Sequence, residues 1–266
     1  MEGVQGVERR LAGQVYFEDN FDTFDTTKWE IRGDHPRFNV QTSDGWLNIL
    51  FDLVGTSPRI YWAAVSSKTP FDLSNKTIMV RLTAVPSKLQ PEFPVYSYFV
   101  GVLLANKKDI VNNPLISPDP DLKGVCYVMR WGLQTPIDKR GFVIDSGVAT
   151  MYPGGAFALF PPTELAVAVG LTKVVTYEEK IEDLVLPLPA DPTSLYVHLF
   201  VYQVEWTTLT LPSRASFDYV IIGKPEFIIE YPKPEQVMMS ALPQVLSAIM
   251  AIMMVTVILR LIRGIR

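Results

Sequence analysis

The chain has 266 residues, enough for one large or two small domains, and 48% of them are hydrophobic while 20% are charged, which excludes general disorder. A net charge of −4 gives no basic face for a dedicated nucleic-acid binder, one cysteine (Cys126) excludes an intramolecular disulfide, and two histidines (His35 and His198) exclude a histidine-rich metal site. Twenty-one prolines point to a loop-rich, sheet-based body rather than a helical one.

The first twenty residues contain no apolar h-region, so no signal peptide is expected, and residues 1–10 read as an extension ahead of the domain. Asp19, Asp22 and Asp25 form an acidic opening that is a candidate calcium site, although the spacing is not that of an EF-hand and turn formation by Asp is the simpler reading. Period-2 alternation then begins. GWLNILFDL puts Leu47, Ile49, Phe51 and Leu53 on one face, and TIMVRLTAV puts Ile78, Val80, Leu82 and Ala84 opposite Arg81 and Thr83. Between them Asn75 opens the sequon NKT, usable only on an extracytoplasmic face. VYSYFVGVLLA (95–105) is apolar on both faces and predicts a central strand. SPDPDLKG carries Asp119 and Asp121, a second weak cation candidate. GVCYVMRWGL, LYVHLFVYQVEW and FDYVIIG continue the strand pattern. The stretch 163–186 fits either a strand pair or a helix after Glu178. Trp62, Tyr127, Trp131 and Tyr152 are candidates for stacking on sugar rings, against the alternative that they fill a core.

YPKPEQ (231–236) predicts a proline-stiffened stem. From Gln236 to Leu259 there are 24 residues without a charge, about what is needed to cross roughly 30 Å of hydrocarbon at about 1.5 Å per residue. The expected membrane helix spans 237–259, with Val245, Leu246, Ile249, Ile252, Val255 and Ile258 facing lipid and Arg260, Arg263 and Arg266 in a basic tail (260–266) at the head groups. The arginines place the tail inside and the domain on the exterior face. The missing signal peptide argues the reverse, a conflict softened in a membrane-containing particle assembled within a cell. Ser247, Ala248 and Ala251 suit close helix approach and self-association, and the basic tail is the sole feature that could touch nucleic acid.

The opening FEDNFDTFDTTKWEI, with Phe17, Asp19, Phe21, Asp25 and Trp29, resembles the first strand of the concanavalin A-like lectin/glucanase superfamily. VQTSDGWLNILF resembles its next strand. VHLFVYQVEW resembles the strand carrying a Tyr–Trp pair, here Tyr202 and Trp206, and ASFDYVIIG resembles the closing strand of family-16 glucanases. The resemblance implies a jelly-roll sandwich whose two chain ends pair. It also implies an E-x-D-x-E or E-x-D-x-x-E strand for hydrolysis, which this sequence lacks; YEEKIED (177–183) reads instead as a solvated edge or helix surface.

The sequence therefore predicts an all-β, antiparallel jelly-roll-like sandwich over residues 11–230, plus one C-terminal transmembrane helix. The function it suggests is a membrane-anchored, non-enzymatic surface protein of a virion, envelope or cell-surface assembly, needing no cofactor beyond a candidate calcium ion. Its partners would be the bilayer, a glycan and copies of itself. Two alternatives stand beside it: a tethered glycoside hydrolase with an atypical carboxylate pair about 5–10 Å apart on the concave sheet, and a cytoplasm-facing tail-anchored scaffold.

Overall fold

In the computed structural model the described residues are 14–33, 38–51, 60–85, 97–132, 135–156, 162–179, 181–204 and 213–224. They form fifteen strands and no helix: β1 (Val15–Asp19), β2 (Trp29–Gly33), β3 (Phe38–Ser43), β4 (Trp46–Phe51), β5 (Ile60–Ser67), β6 (Lys76–Val85), β7 (Ser97–Ala105), β8 (Gly124–Gly132), β9 (Thr135–Asp145), β10 (Val148–Pro153), β11 (Thr163–Val169), β12 (Lys173–Glu178), β13 (Ile181–Pro187), β14 (Tyr196–Val204) and β15 (Ser213–Gly223). The chain divides into two units, residues 1–226 and 227–266. The second lies outside the described residues, and with it the expected stem, membrane helix and basic tail. No helix among the described residues is long and apolar enough to cross a membrane.

All strand pairs are antiparallel and make two sheets. One has eight strands in the order β13-β12-β11-β6-β15-β4-β3, with β1 also on β15; the other has seven, β10-β9-β8-β7-β14-β5-β2. The expected alternation holds. Leu47, Ile49 and Phe51 of β4 and Ile78, Val80 and Leu82 of β6 point between the sheets, where they meet Val100, Val102, Tyr127, Met129, Leu199 and Val201 from the other side. The two-faced apolar segment is β7, flanked by β8 and β14 near the middle of its sheet. Residues 163–186, ambiguous in sequence, contain β11, β12 and most of β13. No helix follows Glu178, because Glu179 turns the chain at a positive φ of 56° and Leu184 and Leu186 then continue the inward row set by Val174 and Thr176. Gly141 lets β9 approach that row: a Cβ there would lie 2.7 Å from Leu186 Cδ1.

The chain ends of the domain do pair, Val15 with Gly223 and Asp19 with Val220. The opening motif has a packing reason. Asp19 accepts hydrogen bonds from the Phe21 amide (3.0 Å) and the Trp29 indole (2.8 Å), and the Phe17 and Phe21 rings each lie 5.9 Å from the Trp29 ring. One buried carboxylate thus ties the loop between β1 and β2 to a core tryptophan.

Candidate carbohydrate face

Cross-strand neighbours share a face, so the register assigns the outer surface of the seven-stranded sheet residue by residue. Arg32 lies opposite Ala64, and Phe200 opposite both Ala64 and Gly101. Val128 lies opposite Gly101 and Arg140. The next rows carry Trp62, Tyr202, Phe99, Arg130 and Asp138 on one side and Ser66, His198, Leu103, Cys126 and Phe142 on the other. Aromatic rings form a floor across four strands. Phe99 lies 5.2 Å from Tyr202 and 6.4 Å from Phe142, and Trp62 stacks on Phe200 at 6.4 Å. This floor is buried, and the loop over residues 106–123 covers part of it with Ile110, Leu115 and Leu122.

That loop is pinned at both ends and in its middle. Asn106 donates to the Asp121 carbonyl (3.0 Å) and accepts from the Lys123 amide (2.8 Å), while Asp119 accepts from the Val111 amide and the Asn112 side chain. Beneath it, His198 Nε2 lies 3.1 Å from the Lys107 carbonyl and Nδ1 lies 2.7 Å from Ser66 Oγ. A carbonyl only accepts, so the proton sits on Nε2 and Ser66 donates to Nδ1: the ring is neutral. Burial, aided by the nearby Arg32 charge, pushes the His198 pKa down to about 4 against the bond to Lys107. Both partners are fully buried, so this serine–histidine pair is a latch for the loop rather than an exposed nucleophile.

Two half-buried charged groups flank the floor. On β8 and β9, Arg130 grips Asp138 with two parallel bonds (2.7 and 2.8 Å). Arg140 reaches the same carboxylate at 3.3–3.4 Å and places Nη1 3.0 Å from Met151 Sδ. At the far side Arg32 pairs with Glu30 and Asp109, and Lys108 with Glu30. The Arg130–Asp138–Arg140 group carries one more cation than anion and stands beside Phe99. The half-buried guanidinium and carboxylate groups leave planar donors and acceptors on the outer face above a buried aromatic layer.

The three central strands of this sheet, β8, β7 and β14, carry no carboxylate. The charges that sequence reasoning missed lie between the sheets. Lys139 of β9 donates to Glu178 (2.7 Å) and stands 3.7 Å from Asp183, which accepts from Tyr127 (3.0 Å) and the Gly155 amide (2.8 Å). Burial, then the Asp183 charge, raises the Tyr127 pKa, so its hydroxyl stays a donor. Glu178, expected on a solvated edge, is instead fully buried, since alternation in β12 turns it inward toward Lys139. The signal available in the sequence was a lysine at 139 sharing parity with the inward Val143.

Of the aromatic candidates, only Trp62 lies on the outer face, and there it is buried at 1% exposure within the floor. Tyr127 and Trp131 are buried between the sheets and half-buried Tyr152 packs against the same core, which withdraws all three from a ligand at that face. Among the acidic candidates, Asp19 is committed to Phe21 and Trp29, Asp25 binds the Thr27 amide and hydroxyl, Asp22 is exposed beside the β3–β4 turn, and Asp121 pairs with Lys107. Among the described residues no group of three His, Cys, Asp or Glu side chains is placed to hold a metal ion. Asn75 sits exposed in the turn before β6 with φ 54°.

No protein-family model matches the chain, and no curated protein does. Solved structures match across most of it. A laminarinase catalytic domain from Thermotoga petrophila is 12% identical, with 80% of this chain and 98% of that one covered and a TM-score of 0.54. A lichenase from a mouse hindgut metagenome is 15% identical over 77% and 97%, TM-score 0.52. A protein of Mycobacterium tuberculosis described as a pseudo β-1,3-glucanase is 16% identical over 79% and 99%, TM-score 0.52. The architecture is one that glycoside hydrolases use, so the expectation of a non-enzymatic protein is not supported. The described residues build a concanavalin A-like jelly roll, the two-sheet sandwich of family-16-like glucanases.

Proposed function

We propose that the chain is a membrane-anchored protein of a cell-surface or enveloped-particle assembly whose sandwich recognises carbohydrate along β8 and β9. The observation that carries this reading is the Arg130–Asp138–Arg140 group set beside the aromatic floor, on the outer face of the seven-stranded sheet. Guanidinium and carboxylate supply directional hydrogen bonds to sugar hydroxyls. The glucan- and glycan-active proteins named among the structural neighbours support the ligand class. The 24-residue uncharged run followed by three arginines supports the anchor, and the arginines favour an exterior face for the sandwich.

The test is co-sedimentation of the full chain with insoluble β-1,3-glucan, mixed-linkage glucan and mucin glycans, with release of reducing ends followed in the same tubes. Retention on one of them, weakened about 10-fold or more by Arg130→Ala, is the expected result, since bonds to charged groups contribute about 1.5–3 kcal/mol. Release of reducing ends would show turnover at that face. Retention on none, or retention indifferent to Arg130→Ala and Asp138→Asn, would overturn the reading.

A further inference from the structure

Lys139 carries its ammonium between the sheets, where the carboxylates of Glu178 and Asp183 meet it from β12 and β13. The three side chains are 3%, 0% and 5% exposed. The group holds two carboxylates for one ammonium, more than charge balance requires and costly to keep out of water. The placement of Asp183 is specific. Thr176 pairs with Leu184 and Tyr177 with Glu182, so Asp183 is the extra residue of a bulge. The bulge takes it out of the strand's alternation and lets it turn inward beside Leu184.

The two oxygens of Asp183 have different neighbours. Oδ2 accepts from the Tyr127 hydroxyl (3.0 Å). Oδ1 accepts from the Gly155 amide (2.8 Å) and stands 3.7 Å from Lys139 Nζ. Gly154 and Gly155 pass close over this carboxylate: a Cβ at 154 would lie 2.5 Å from Oδ2, and one at 155 would lie 3.2 Å from Oδ1. On the other side of the ammonium, Glu178 Oε2 accepts from Nζ at 2.7 Å. An ion pair needs only the cation and one carboxylate. An amine beside a carboxyl group, with a base on the amine and a donor on each carboxyl oxygen, has the parts of acyl transfer.

We propose that Lys139 and Asp183 condense into an amide, an isopeptide cross-link between β9 and β13, with Glu178 as the proton carrier. The structure holds the groups before reaction. Glu178 takes a proton from the Lys139 ammonium, which frees the nitrogen lone pair. That pair forms the bond to Asp183 Cγ while the carbonyl pair moves onto Oδ2, where the Tyr127 hydroxyl donates to it. The carbonyl re-forms as the Cγ–Oδ1 bond breaks. Of the three ammonium protons, one stays on the amide nitrogen and two leave with Oδ1 as water. One of those two passes through Glu178, which ends as the carboxylate it began as. No oxidant or other reactant enters. Hydrolysis opposes such a condensation in bulk water, but here the groups are buried and held together, so proximity replaces activation. The bond ties the seven-stranded sheet to the eight-stranded one, in a chain whose single cysteine cannot form an internal disulfide. It is independent of the carbohydrate and anchor readings.

The test is mass spectrometry of the folded full chain, intact and after digestion. Expected are an intact mass one water below that of the sequence and a digest in which the Lys139 and Asp183 peptides are joined by the amide. Lys139→Arg should restore the full mass and the separate peptides. Glu178→Gln should slow the appearance of the link in freshly translated chain by about 100-fold or more. Asp183→Asn, which keeps the shape of the site, should form the same bond with ammonia lost in place of water. A folded chain of full sequence mass with separate peptides would overturn the proposal, as would a loss of water that survives Lys139→Arg. Linkage at an undiminished rate in Glu178→Gln would overturn the role given to Glu178.

Discussion

The sandwich closes two of its boundaries with polar groups, and it does so in opposite ways. Where β9 faces β12 and β13, the closure is ionic: Lys139 lies between Glu178 and Asp183, with Tyr127 donating to the second carboxylate. Over the outer face of the seven-stranded sheet the closure is neutral: Ser66, His198 and the Lys107 carbonyl form one chain of hydrogen bonds. The difference shows what each boundary tolerates. An ionic triad fails when one member is lost, because the others remain buried and charged. A neutral chain fails when a proton is added, because the imidazolium has no anion beside it and Nδ1 ceases to accept.

Breaking the ionic closure should have the largest effect. Lys139→Met leaves Glu178 and Asp183 buried without a cation, and a loss of about 3–5 kcal/mol in urea unfolding is expected. Adding Glu178→Gln and Asp183→Asn should return much of it. Full additivity of the three losses would show that the groups do not act as a unit.

The neutral closure is sharpened by pH. His198 has its folded pKa lowered to about 4 from an ordinary 6.5, so the unfolded chain binds the extra proton between these values. Stability contributed by the neutral ring is complete above pH 6.5 and drains away as pH falls toward 4, by up to about 3 kcal/mol. His198→Gln should flatten that part of the stability–pH curve, and an unchanged slope would reassign it to other groups. Amides of the 106–123 loop should exchange first in the same window, since the loop hangs on the Lys107 carbonyl.

A smaller effect is expected where the opening motif meets the core. Asp19→Ala leaves the Trp29 indole and the Phe21 amide without their acceptor at a buried site, and a loss of about 1–3 kcal/mol should appear in thermal unfolding. Asp25→Ala, at an exposed turn, should stay within about 1 kcal/mol.

These contrasts also mark how far sequence reading reaches. β4 and β6 were legible because polar and apolar residues alternate there, and the Phe17–Asp19–Phe21–Trp29 motif was legible as a fold signal because its residues pack on one another. β8 was not, since GVCYVMRWG is apolar on both faces: nothing local says that Tyr127 and Trp131 turn inward while Arg130 turns out. The Lys139–Glu178 contact joins residues 39 apart in different sheets, and no local pattern encodes a contact made by stacking two sheets. The Arg130–Asp138–Arg140 group escaped notice for a related reason, as its residues meet only once β8 and β9 are in register.

The most direct test of the carbohydrate face is amide hydrogen exchange of the full chain with and without the retained polysaccharide's oligosaccharide. The account predicts slowed exchange in β7, β8 and β9, centred on residues 128–130 and 138–140, with the eight-stranded sheet unchanged. Protection confined to the eight-stranded sheet, or none at saturating sugar, would contradict it.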